Sequence, residues 1–193
     1  MTRSLSPGVE AAFWSLLTAL GYFMLASLAL YATKGADNIA AVWPPSGYFL
    51  ALLLLMPVRA QAASFVGMAA ASLSANLLGG TPPLASAAFT LANAAEAYVA
   101  LWLIRRRHVG DLSFMVPRSV GDFCVATLSA SALSASIATA LVGVGLAGRT
   151  PDFFFSWLTT VALGMLIVTP PIVMLARMVD TKVLDNMPAR MKT

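Results

Sequence analysis

Asn93 and Glu96 in LANAAEAYVALWLIRR stand three residues apart, a spacing that puts both side chains on one face of a helix, shared with Phe89, Ala100 and Leu103. Glu96 is the one carboxylate far from both ends of an apolar run. An ionised carboxylate in hydrocarbon is unfavourable by about 2.5 kcal/mol or more, so it must face an interior, find a donor or take up a proton. Two roles follow: a hydrogen bond between helices, or the floor of a ligand or proton site. WPPSG, residues 43–47, poses the same choice. Proline is tolerated at a helix start, where the first amides lack partners, while Ser46 and Gly47 leave room for a close approach. Asn76 ends an apolar run at a height similar to WPPSG, and Phe153, Trp157, Thr160 and Gly164 form one face of the last run. TPP at 169–171 is expected to interrupt or kink that run.

Other chemistries lack their residues. There is no Ser/His/Asp arrangement, phosphate loop or pair of deep carboxylates, so the chain is not expected to be an enzyme. The single cysteine, Cys124, excludes a disulfide within the chain, and the single histidine, His108, stands beside Arg105, Arg106 and Arg107, a poor place to collect a cation. No metal site is expected, and no cofactor is indicated.

The elements that hold these residues must lie in lipid. Of 193 residues, 59% are hydrophobic and 10% charged, against about a quarter charged in soluble domains. A spanning helix needs roughly 20 apolar residues. The reading is a single domain over 1–193, an all-α polytopic transmembrane bundle of about six helices at 11–32, 44–57, 61–78, 83–104, 119–147 and 153–176, with a tail at 177–193. The second is short for a crossing, and Trp43 at its start suits an interfacial aromatic belt. The fifth is long enough to tilt or break near Gly143 and Gly145. The first is too long for a signal peptide, and Glu10 before it is unusual for one.

Of the 12 Lys and Arg residues, only Lys34 and Arg149 fall in the odd connections. Arg3, Arg59, Arg105, Arg106, Arg107, Arg118, Arg177, Lys182, Arg190 and Lys192 occupy the termini and even connections. The positive-inside rule then puts both termini in the cytoplasm and WPPSG toward the outside. It also accounts for the net charge of +4 without nucleic acid. Glu96, about 20 Å along its helix from Pro83, lies past the middle toward the cytoplasm. Asp122 is expected to act as a negative charge at a helix start, near Arg118. Small residues recur every fourth position at Ala63, Gly67, Ala71 and Ala75, and every seventh at Ala12, Ala19 and Ala26. They predict tight packing and no wide pore.

Taken in order, these pieces resemble the bacterial membrane-associated sensor domain of the first described type, an input module of histidine kinases and cyclic-di-GMP enzymes. The resemblance covers about residues 10–177. It rests on WPPSG, on GMAAASLSANLL ending in Asn76, on the Asn93/Glu96 helix with its basic exit, on RSVGDF with Asp122, and on WLTTVALGMLIVTP with Trp157, Gly164 and Pro170. Val161 departs from the pattern, since relatives often carry an acid there. Relatives also tend to have eight helices and an effector, so this chain reads as a fragment or as a protein that signals to a partner.

The expectation is a sensory input domain in the bacterial inner membrane. Ligand-binding candidates are Trp43, Pro44, Pro45, Ser46, Asn76, Asn93, Glu96 and Trp157; hinge candidates are Gly164, Pro170 and Pro171. Expected partners are the bilayer, a histidine kinase or diguanylate cyclase, and a second copy in a homodimer. The alternative functions are a transport protein, such as the six-helix substrate-binding subunit of a vitamin importer, and an assembly subunit whose polar groups serve packing alone.

Overall fold

The computed structural model describes residues 6–33, 41–107, 112–143 and 150–185, with side chains through 179. His108, Gly145, Lys34, Arg149, Arg3, Arg190 and Lys192 lie outside the described residues, as does the side chain of Lys182. Among the described residues six helices form: α1 (Pro7–Thr33), α2 (Pro44–Leu55), α3 (Val58–Leu78), α4 (Pro83–Arg107), α5 (Pro117–Val142) and α6 (Thr150–Asp185). No strand occurs among the described residues. Prolines open α1, α2, α4 and α5, where a missing amide N–H costs nothing.

α1, α4, α5 and α6 are each long and apolar enough to cross a membrane; α2 is a short apolar helix. The outward faces match that solvent. Phe13, Leu16, Leu20, Met24, Leu28, Leu91, Phe155 and Ile167 are exposed, while in the centre the fully buried Ala26, Ala60, Ala92, Ala100, Ala130, Ala135 and Ala138 let helices approach around large side chains such as Tyr22, Phe49, Met68 and Phe123. Lipid gives helices no hydrophobic drive to associate, so close backbone approach must hold the bundle together.

The ladder on α3 does this against α1. A Cβ on Gly67 would sit 2.5 Å from the Ser15 carbonyl oxygen, and the Ser15 hydroxyl donates to the Ala63 carbonyl at 2.8 Å. The proposed ladder on α1 holds only in part, because Ala26 is buried but Ala12 is exposed. The buried face of α1 instead runs through Thr18, Tyr22, Ala26, Ala29 and Leu30. At one end of the bundle Arg59 pairs with Glu10, and Arg107 donates to Asp122 at 2.9 Å. Asp122 therefore pairs with the end of α4, and it lies in the second turn of α5 rather than at the helix start expected of it.

α5 runs unbroken to Val142, with Gly143 as its cap. α6 is neither interrupted at TPP nor finished near 176. It continues through Pro170 and Pro171 to Asp185, so the first part of the expected tail is helix. Proline is tolerated in membrane helices because neighbouring elements satisfy the carbonyls it frees.

Candidate functional site

The start of α2 lies deep in the bundle. The Trp43 amide donates to the Thr160 carbonyl at 3.1 Å, about 15 Å along α6 from Thr150. The Ser46 hydroxyl donates to Glu96 Oε2 at 3.2 Å, and Glu96 is about 20 Å along α4 from Pro83. A 12-residue helix spans only about 18 Å, so α2 covers part of the bundle's length and starts within it.

That position explains WPPSG. A helix start carries amides without partners, and each one left open in hydrocarbon costs several kcal/mol. Pro44 and Pro45, at the first two helical positions, have no N–H to leave open. The next amide, Ser46, bonds the Trp43 carbonyl at 3.3 Å. The motif is a helix start suited to an environment without water.

Glycine lets α6 close over it. A Cβ on Gly47 would lie 2.2 Å from the Gly164 carbonyl oxygen, and one on Gly164 would lie 2.0 Å from the Trp43 carbonyl oxygen. Thr169 Oγ1 completes the joint, donating to the Gly47 carbonyl at 2.9 Å. Trp43 is therefore not at an interface. It is 7% exposed, and its indole N–H donates to the Tyr22 hydroxyl at 3.3 Å.

Glu96 is fully buried at the meeting of α2, α4 and α5. Oε2 accepts from Ser46, whereas Oε1 has no partner. The Ser131 hydroxyl of α5 neighbours the carboxylate without completing a hydrogen bond. Asn93, one turn away and 4% exposed, has an unpartnered Oδ1. Tyr22 has Ser72, Asn93 and Glu96 as polar neighbours, and Ser72 accepts from Thr90 Oγ1 at 3.1 Å. The result is a buried polar cluster drawn from five helices, with an acceptor to spare on each of its two central side chains.

The other candidates lie elsewhere. Asn76 is buried but its side chain turns back on its own helix, donating to the Ser72 carbonyl at 2.9 Å, while its backbone carbonyl accepts from the Thr81 amide. Trp157 donates to Ser134 Oγ at 3.0 Å and packs on Phe89, with ring centroids 4.6 Å apart, and on Phe153. Pro170 and Pro171 lie beyond Thr169 on α6. The structure thus brings Trp43, Pro45, Ser46, Asn93, Glu96 and Gly164 into one neighbourhood, with Asn76 and Trp157 at its edges. Tyr22, Ser131 and Thr169 join it without having been singled out in the sequence. A tyrosine near the centre of an apolar helix was the signal available for Tyr22; no pattern marked Ser131 or Thr169. No cluster of metal-ligating side chains occurs among the described residues.

An all-helical bundle with four helices long and apolar enough to cross a membrane, closed around a buried polar cluster, is an integral membrane domain. The comparison with families gives the particular kind: the model of MASE1 matches residues 14–192, and the chain belongs to that family of membrane-associated sensor domains, found in histidine kinases and cyclic-di-GMP enzymes. No curated protein and no solved structure matches the chain. Membership in this family supports a role in sensory input at a membrane.

Proposed function

We propose that the stimulus acts at the Ser46–Asn93–Glu96 cluster and that the α2–α6 joint carries the response to a cytoplasmic effector. In this reading the chain is a multi-pass protein of the bacterial inner membrane with both termini in the cytoplasm. The unpartnered Glu96 Oε1 carries the proposal. A carboxylate left half satisfied in lipid gains from any proton or small donor that reaches it. Occupancy would alter the bond from Ser46, and Ser46 belongs to the same turn that Gly164 and Thr169 grip. A stimulus must bind two packings of the bundle unequally to shift their balance, and a joint this close permits few intermediate packings. α6 then leads toward the effector. Because WPPSG is closed beneath α6, the proposed occupant is small rather than bulky.

The test joins a diguanylate cyclase domain to the end of the chain and follows cellular cyclic-di-GMP as medium pH and composition vary. Glu96→Gln keeps the shape and removes the charge; it is expected to fix output at one level, with membrane abundance unchanged. An unaltered response from both Glu96→Gln and Glu96→Ala overturns the proposal.

A further inference from the structure

The end of the bundle that carries Arg59 and Arg105 has a second feature, independent of Glu96. Between the start of α3 and the end of α4 runs a groove of about 440 Å³ lined by Val58, Gln61, Ala62, Phe65, Leu101 and Arg105, with Tyr98 and Trp102 along its edge. Its floor is apolar and its upper edge is cationic. Arg59 and Arg107 are each neutralised by a carboxylate, Glu10 and Asp122. Arg105 is not: its guanidinium donates to the neutral Gln61 Oε1 at 3.2 Å, and Gln61 is held in turn by the Leu53 carbonyl at 3.1 Å. Arg106 lies over the Trp102 ring, 5.0 Å from its centroid. No ion pair to Arg105 or Arg106 occurs among the described residues.

We propose that this groove binds one anionic glycerophospholipid, with an acyl chain along Ala62, Phe65 and Leu101 and the headgroup phosphate on Arg105 and Arg106. A lipid is the occupant because the groove faces the bilayer along its length and changes from apolar to cationic where a bilayer does. Basic pockets between helices hold anionic headgroups in this way, and Trp102 and Tyr98 suit the interface beside them. Gln61 fixes Arg105 in place before the lipid arrives, which lowers the ordering cost of binding.

The full chain, purified in detergent and supplied with equimolar phosphatidylglycerol and phosphatidylcholine, should retain one phosphatidylglycerol in native mass spectrometry. Arg105→Gln and Arg106→Gln should each weaken retention by about fivefold, the factor for one interfacial charge. Ala62→Phe, on an exposed position, should displace the lipid while leaving every charge intact. Inorganic phosphate added in excess should not compete. Equal loss in Arg118→Gln would show unspecific attraction to basic ends and overturn the site, as would undiminished retention in Ala62→Phe. Phosphate competition would mean that an ion, not a lipid, is bound.

Discussion

Ser46 donates the single hydrogen bond that Glu96 receives within the described geometry. Replacing it with alanine leaves a buried carboxylate with less support, and hydrogen bonds within membranes are worth about 1 kcal/mol. Ser46→Ala is accordingly expected to lower stability by about that amount in detergent unfolding followed by circular dichroism, and Glu96→Leu to suppress the further effect of Ser46→Ala. Additive losses would separate the two residues. Asn93 and Glu96 were legible in the sequence because three-residue spacing needs no tertiary knowledge. Tyr22 was not: an aromatic ring in an apolar helix has the same pattern whether its hydroxyl meets lipid headgroups or a buried amide. Trp43 misled for a related reason. Tryptophan before a helix start suits an interface, and only the depth of that start shows that its indole is buried against Tyr22.

Among elements, the decisive contact is between α2 and α6. Gly47 and Gly164 each face backbone at distances no Cβ can occupy. Gly164→Ala must push the helices apart, and overpacking of this kind costs about 1–3 kcal/mol. Gly67→Ala, against Ser15, should behave alike. Gly121→Ala meets open space and should be neutral or slightly stabilising. Thermal unfolding of the three variants checks the order; a Gly164→Ala protein as stable as Gly121→Ala would show that the joint is loose. The α3 ladder could be read from spacing alone, since every fourth residue returns to one face. The continuity of α6 could not, because two prolines end a helix in water and survive in one whose freed carbonyls are satisfied by neighbours.

For the whole molecule, the charge distribution and the structure agree on which helix ends lie together. Glu10, Arg59, Gln61, Arg105, Arg107 and Asp122 meet at one end through the contacts of α1, α3, α4 and α5. That is the end the positive-inside rule assigns to the cytoplasm. A fluorescent protein fused after Thr193 should therefore fluoresce, and alkaline phosphatase at the same point should be inactive; the reverse pattern would invert the topology. α1, α4, α5 and α6 were legible because lipid demands long apolar runs. The depth of α2 was not, because its partner Thr169 lies 122 residues further along the chain from Gly47.

That separation bears on biosynthesis. When α2 emerges from the ribosome, the helix that grips it has not been made. A segment of 12 residues is too short to cross the bilayer unaided, so α2 cannot settle until translation has passed Thr169. The α2–α6 joint is consequently among the last parts of this domain to assemble, and a nascent chain halted before α6 would hold the start of α2 without its cover, a state that membrane quality control could detect.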